Sequence, residues 1–474
     1  MISRREVLKH SGYLLSARLF ARLASVPFLI YVAASLGPSL FGVFSFVLAT
    51  VEMISSLSDL GMSRYGARAI VRMKQGRERM AGMILTFQVA TSVLLSGLAL
   101  LFILALAPEQ PKLNVALLGL AGIFFSAFIF TTETIFTGFR RFGASATLAV
   151  LGRLAYVALG VLVLALGYSV TAVMMAFVAG MAVESVLRMG YTLARVTSFS
   201  LRFGASEFKE VAVGTLPFAV TAIAILVFYR ADMIIMGALR GDRDVGIYSA
   251  AYSFFSFFMW FPIVLSRALL PGLTSRFLEN PRDAEQSSWF WYRAVGIVGI
   301  PISFTMTMLA RPLFETLLPA AYEGSIITLQ ILMWAIPPLM MVSLGFIALT
   351  VTDREKQGAR TTLVTAALIV ALDLVLIRLF GPVGAAAAMV SATAVWIVQV
   401  QWLLRKHVFA PHHGLLLTFT LPVSGGVAMA LSALLAMPLG GVVSLAAGLS
   451  VYAAVILGGR QIERRLVSRP AGAA

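Results

Sequence analysis

The strongest constraint on this chain is a succession of long apolar segments covering almost its whole length. A helix crossing the hydrocarbon of a bilayer needs about 20 mostly apolar residues. Fourteen segments of that kind lie at roughly 11–36, 39–62, 81–107, 113–138, 144–166, 170–194, 211–239, 245–268, 291–317, 324–350, 361–380, 383–404, 414–436 and 439–458. Gly, Pro and charge clusters separate them, as at Leu36-Gly37-Pro38, Gly381-Pro382 and Met437-Pro438. Only 12% of the 474 residues are charged, 59% are hydrophobic and the mean hydropathy is +0.92. Soluble domains carry about 25% charged residues, so a water-soluble enzyme is excluded. The chain has no Cys, which excludes disulfides and thiolate chemistry. Its four His (His10, His407, His412, His413) sit near predicted span edges, which argues against a His-ligated metal inside the membrane.

The net charge of +16 would suggest nucleic acid on a soluble protein, but here its distribution gives another reason. With the N-terminus in the cytoplasm, the tails and inner loops hold 28 of the 37 Lys and Arg. The outer loops hold three (Lys112, Arg240, Arg243), and six lie within segments (Arg18, Arg22, Arg153, Arg230, Arg311, Arg378). Basic residues accumulate on the cytoplasmic side of membrane proteins, so both termini are expected there and no nucleic-acid partner is implied. Trp289, Trp291 and Trp402 fall at predicted inner interfaces. Ser3-Arg4-Arg5 has the look of a twin-arginine export signal, but Arg18 and Arg22 interrupt the apolar stretch after it. Those charges are read as orienting the first span.

An internal repeat organises the spans. Phe41-Gly42-Val43-Phe44-Ser45 opens the second segment, and Val245-Gly246-Ile247-Tyr248-Ser249 opens the eighth, 204 residues later. Gly167-Tyr168-Ser169-Val170 and Gly381-Pro382-Val383-Gly384 precede the sixth and twelfth. Six spans therefore repeat as six in the same orientation, about an axis along the membrane normal. Parallel repeats of this kind are a transporter architecture. The expected fold is all-α and polytopic, with fourteen transmembrane helices. An N-lobe spans 1–208 and a C-lobe 209–408, related by a pseudo-twofold axis. Two extra helices and a tail occupy 409–474.

The motifs resemble the polysaccharide-flippase (Wzx-type) branch of the multidrug/oligosaccharidyl-lipid/polysaccharide exporter superfamily. The resembling stretches are Ala34–Phe44 and Ser58-Asp59-Leu60-Gly61, then Arg230–Gly237 with Val245–Tyr252, and Gly381–Ala387. The likeness runs over nearly the whole chain. It implies two lobes around a polar cavity, in the inner membrane of a bacterium. The implied function is movement of a polyprenyl-diphosphate-linked glycan from the inner to the outer leaflet, with a polysaccharide polymerase or ligase acting downstream.

Ionisable groups inside a bilayer are costly and therefore functional candidates. Arg18 and Arg22 share one face of the first segment, at depths of roughly 10 and 16 Å from its inner end. Glu52 and Asp59 share a face of the second, at depths of roughly 15 and 5 Å. Arg22 and Glu52 are level. They are read either as a cavity-facing cluster receiving a diphosphate, for which the planar Arg fork is suited, or as a buried pair pinning the two segments. Arg230 is read as a second cationic station nearer the outer side or as a helix-end charge, and Asp232 as a cavity partner or a structural group. Glu133 with Arg153, and Glu184 with Arg188, are read as structural ion pairs. Asp373 has no level partner in its hairpin and is a candidate for a coupling proton or sodium ion, or a neutral hydrogen-bonded acid. The loop carrying Arg64, Arg68, Arg72, Lys74, Arg77 and Arg79 either gathers anionic lipids or simply sets topology. Arg64 is the member placed to reach the cavity mouth.

No cofactor is expected, and no Gly-x-x-x-x-Gly-Lys-[Ser/Thr] loop is present. A membrane glycosyltransferase or polymerase would need a folded outer loop, and the predicted outer loops are short. A multidrug exporter would need acids in excess over Arg in the first lobe. A peptidoglycan-precursor flippase shares the cargo chemistry and remains the nearest alternative.

Overall fold

The computed structural model describes the backbone of residues 4–73, 75–106, 109–202, 204–259, 261–262, 281–407, 414–436 and 441–467. Side chains are described over 25–457, apart from 74, 106–108, 203, 217, 260, 263–290, 293, 407–423, 436–440 and 442. Among these residues the regular structure is helical throughout, with no strand. The helices are α1 (Arg4–Asp59), α2 (Met62–Arg72), α3 (Arg77–Leu106), α4 (Lys112–Gly138), α5 (Phe142–Ala165), α6 (Val170–Arg195), α7 (Ala205–Leu239) and α8 (Asp242–Phe258). They continue with α9 (Pro281–Leu317), α10 (Gly324–Leu332), α11 (Ile336–Val351), α12 (Glu355–Phe380), α13 (Pro382–His407), α14 (Gly414–Ala436) and α15 (Gly441–Val467). In lipid every backbone polar group must be satisfied within its own segment, which is why apolar runs of this length become helices.

Ten stretches are long and apolar enough to cross a membrane among the described residues. The shorter apolar helices Ser424–Leu435 and Val443–Leu457 fall within α14 and α15, and α8 has 17 residues. This is a multi-pass membrane protein.

Local chemistry sets the breaks. The helix α1 is two helices run together, broken at Gly37 (φ 72, ψ 169) just before Pro38. A left-handed residue followed by one without an N–H reverses the chain where the first two apolar segments meet. Residue 61 is again a left-handed Gly (φ 76), and the preceding Leu60 is left-handed too (φ 42). The chain therefore turns sharply out of α1 into α2. A loop was expected here, and the structure corrects that: residues 62–72 are a helix. Met62, Gly66, Ala67 and Ile70 are buried on one side of it, and Arg64, Arg68 and Arg72 are exposed on the other. Its apolar stripe is too narrow to read as a span. The Pro337-Pro338 pair at the start of α11 separates it from α10 across a 3-10 turn at Met333–Ala335.

Packing divides the chain into two compact units. The first comprises Met1–Ser253 with Leu317–Tyr322 and Val370–Ala385, the second Phe254–Thr316, Glu323–Ile369 and Ala386–Ala474. The start of α7 thus packs with the first six apolar segments, although the sequence repeat begins a new lobe at 209.

Inside the first unit the two repeat motifs touch. A methyl group on Gly42 would lie 1.6 Å from the carbonyl oxygen of Asp242, and one on Gly246 would lie 1.9 Å from that of Pro38. Positions 38 and 242, like 42 and 246, are separated by the repeat offset of 204. The contact is reciprocal, the pattern of two equivalent surfaces meeting across a twofold. Two helices cross here backbone to backbone, which only glycine permits. The Nζ of Lys112 on α4 secures the same end, 2.5 Å from Asp242 and 4.5 Å above the Phe46 ring. Tyr322 adds a hydrogen bond to the carbonyl of Ala33 at 2.8 Å.

Gly42→Ala and Gly246→Ala should each lower stability by about 1–3 kcal/mol through forced separation of the two helices. Gly97→Ala, where a methyl would meet open space, should be neutral. Thermal unfolding of the three purified variants in detergent measures both effects.

Candidate functional site

The first unit contains a cavity of about 570 Å³. Its wall takes residues from α1 (Glu52, Asp59), α2 (Arg64), α5 (Arg153, Tyr156), α6 (Glu184) and α7 (Tyr229, Arg230). Glu52 and Asp59 are seven residues apart, two helical turns, so α1 delivers both to the same wall. Arg153 and Tyr156 stand one turn apart on α5. The side chains of Arg18 and Arg22 lie outside the described residues.

The ion pairing departs from the sequence reading in two respects. Glu52 makes a salt bridge with the Nη2 of Arg230 from α7, a pair the sequence did not suggest, while its expected partner Arg22 lies outside the described side chains. Depth along a hairpin gives no account of a helix arriving from farther along the chain. The guanidinium of Arg230 also lies 5.6 Å from the Tyr252 ring. Arg230 borders the same cavity as Arg64 and Arg153.

The second correction concerns Glu133, which was paired with Arg153. It accepts instead from Arg188 at 2.9 Å, and Arg188 also bonds Glu184 at 2.8 Å and the Ser145 carbonyl at 3.2 Å. Ser145 Oγ donates to Glu133 as well. The Arg188 side chain is only 4% exposed. Its fork faces three acceptors at once, which ties α4, α5 and α6 together. Arg153, displaced from that pairing, has no acid within ion-pair distance among the described residues. Its guanidinium sits 5.8 Å from the Tyr156 ring and lines the cavity. The sequence alone offered one signal for this: Glu184 and Arg188, four apart, already competed with Arg153 for the same acids.

Asp59 does local structural work. Its Oδ1 accepts from Ser63 N at 3.0 Å, Ser63 Oγ at 2.6 Å and Gln88 Nε2 at 2.6 Å. It therefore caps the start of α2 and anchors it to α3. Arg64 lines the cavity from the first turn of α2.

Asp232 is two residues beyond Arg230 but faces elsewhere. It is 1% exposed and accepts from the Tyr248 hydroxyl and, at 2.7 Å, from Met233 N. Asp373 on α12 is fully buried, and neither carboxylate oxygen has a hydrogen-bond partner among the described residues. Asp232 and Asp373 are thus two buried carboxyl groups of the first unit, on α7 and α12. Among the described residues there is no group of three or more metal-ligating side chains.

An Arg-bearing cavity walled by apolar helices is a place for an anion that cannot enter lipid unaided. The family model described as "Polysaccharide biosynthesis protein" matches residues 7–277. The chain belongs to that family. Its fold is similar to that of a structure described as lipid II flippase MurJ in an inward closed conformation. The TM-score there is 0.79 at 13% identity, covering 96% of this chain and 99% of that one. An inward-facing multidrug resistance MATE family transporter of the MOP superfamily has a TM-score of 0.67 at 14% identity, covering 84% and 100%. A MOP superfamily transporter from Pyrococcus furiosus, described as having a binding pocket of reverse polarity, has 0.55 at 13%, covering 84% and 94%. None of the curated proteins matches. The family is thus one of polysaccharide biosynthesis, and the fold is the one that the MurJ flippase and the MATE transporters share.

Arg188→Met should destabilise the protein by about 3 kcal/mol, because it removes the sealed cation that Glu133 and Glu184 share. Arg153→Met should leave the melting temperature within a few degrees of the parent. Thermal unfolding in detergent separates the two arginines.

Proposed function

We propose that the protein is a flippase that carries a polyprenyl-diphosphate-linked oligosaccharide from the inner to the outer leaflet of the bacterial cytoplasmic membrane. It does so by alternating access and serves polysaccharide biosynthesis, with both termini in the cytoplasm. It acts as a transporter, not an enzyme, and feeds a downstream polymerase or ligase. The observation that carries this reading is the cavity wall. Arg64 and Arg153 face it with no acid in ion-pair distance among the described residues, and Arg230 faces it on a partly exposed one. Arg18 and Arg22 add to this set from the sequence. A diphosphate with sugars cannot cross hydrocarbon unaided, whereas its lipid tail never needs to leave the bilayer. The guanidinium fork binds phosphate oxygens two at a time and keeps its charge.

The test is a deletion strain in which lipid-linked glycans are assigned to leaflets with a membrane-impermeant label. Wild type should clear diphosphate-linked oligosaccharide from the inner leaflet. Arg153→Ala and Arg230→Ala should express normally and slow clearance by at least tenfold. An unchanged inner pool in the deletion strain, with increased sensitivity to cationic compounds, would overturn the reading in favour of drug export. The MurJ-like fold supports a peptidoglycan-precursor cargo as the second reading, and the identity of the accumulated glycan decides between them.

The proposal includes coupling at Asp232 and Asp373. A fully buried carboxylate with no hydrogen-bond donor is tolerable only when it is protonated or holds a cation. Asp373 is in that position among the described residues, and Asp232 is a second buried acid of the same unit. Asp373→Asn should abolish the dependence of flipping on an imposed proton or sodium gradient in reconstituted vesicles. Applying each gradient alone identifies the ion.

A further inference from the structure

The basic stretch between the first hairpin and α3 contains two kinds of arginine. Arg77 Nε donates to the Met73 carbonyl at 2.9 Å, and its guanidinium lies 5.4 Å from the Phe139 ring. Arg79 pairs with Glu207 at 2.7 Å. Both hold the start of α3 to its neighbours. Arg64, Arg68 and Arg72 make no such ion pair or backbone hydrogen bond among the described residues. They are exposed, and none has an acid within ion-pair distance among the described residues. Their spacing of four places them in one row along α2, about 12 Å from first to last.

That row sits on a rigid support. Asp59 and Gln88 fix the start of α2. Its buried face belongs to a cluster with Met80, Ile84, Phe87, Ile135 and Val211. Two contacts with α7 leave no slack: a methyl on Gly61 would lie 2.5 Å from Phe218, and one on Gly214 would lie 2.5 Å from Tyr65. Arg68 rests 5.2 Å above the Phe218 ring, which leaves its in-plane N–H groups available. The first member of the row, Arg64, lines the cavity. A topology signal requires charge but no fixed register, no rigid seat and no continuity with a cavity. This row has all three.

We propose that α2 is a phosphate-capture ladder. Arg72 and Arg68 take the diphosphate of the lipid-linked cargo at the cytoplasmic membrane surface and pass it along the helix to Arg64 at the cavity wall. The proposal rests on the flippase reading and adds an entry route to it. The chemistry needed is an anionic phosphate ester on a lipid. Phosphate oxygens move between neighbouring guanidinium groups one helical turn apart, so the headgroup stays neutralised as it leaves the surface.

The experiment uses full-length protein and a polyprenyl diphosphate bearing a fluorescent disaccharide. Flipping is measured in vesicles, and equilibrium binding in detergent. The Arg68→Gln/Arg72→Gln double variant should raise the half-saturating probe concentration about tenfold and flatten its salt dependence, with the loss falling on half-saturation and not on the rate at saturation. Arg68→Lys/Arg72→Lys should recover most of the loss. Arg195→Gln/Arg202→Gln, which removes the same charge elsewhere, should behave as wild type. Half-saturation within twofold of wild type at low salt would overturn the ladder. So would an equal loss in the control pair, or a loss seen only when the vesicles contain phosphatidylglycerol. If wild type moves no probe, the flippase reading fails. The ladder is then judged by binding alone: about tenfold weaker binding by the double variant supports it, and equal binding ends it.

Discussion

Hydrocarbon offers no water to complete a polar group, so each charge among these helices must meet a protein partner or face a polar cavity. The first unit follows that rule group by group. Arg188 faces three acceptors and is almost sealed. Asp59 accepts three donors and fixes the start of α2. Lys112 meets Asp242 at the opposite end of the second half of α1. Among the described residues that these groups leave unmatched, Arg64 and Arg153 stand on the cavity wall, Arg68 and Arg72 are exposed, and Asp373 is buried. The matched set builds the scaffold, and the arginines on the wall mark the site.

A single stretch of chain organises both ends of that scaffold. Residues 38–59, the second half of α1, run about 30 Å from the Gly42–Gly246 crossing to the left-handed turn at Leu60 and Gly61. At the crossing, glycine brings two backbones into contact. At the turn, α2 is thrown sideways against α7. Glu52 lies between these points and reaches Arg230 on α7. A helix gripped at both ends presents its cavity residues in fixed register, which is what recognition of a two-phosphate group requires.

The sequence made legible whatever depends on local pattern. Apolar length located the helices, Gly37-Pro38 located the reversal, and the repeat at Gly42 and Gly246 marked positions that turn out to touch. The seven-residue spacing of Glu52 and Asp59 correctly put them on one wall. What it could not supply was partner choice. Two acids at similar depths, Glu133 and Glu184, had two arginines available, Arg153 and Arg188. Only the packing of α4, α5 and α6 determines that Arg188 takes both. Glu52 likewise found its partner on a helix about 180 residues away, beyond the reach of any depth argument within a hairpin. The helix α2 escaped notice for a different reason: a short amphipathic helix has the composition of a basic loop, and only its period distinguishes them.

Burial separates the two kinds of arginine pair, and the separation bears on mechanism. Arg188 is 4% exposed, so removing either partner would strand a charge in a region without solvent. Arg230 and Glu52 are 23% and 43% exposed, and an ion pair at that exposure is worth only about 0–1 kcal/mol. An incoming diphosphate brings more than one negative charge and several acceptor oxygens to the same guanidinium. On the proposed function it would outcompete a single partly solvated carboxylate at little cost. Glu52 would then serve as a stand-in counter-ion for an unloaded cavity, holding Arg230 against α1 and yielding it to cargo, so that loading would change which helices are bonded across the cavity. A sealed pair such as Arg188 with Glu184 cannot play that part, because breaking it would cost more than the phosphate returns.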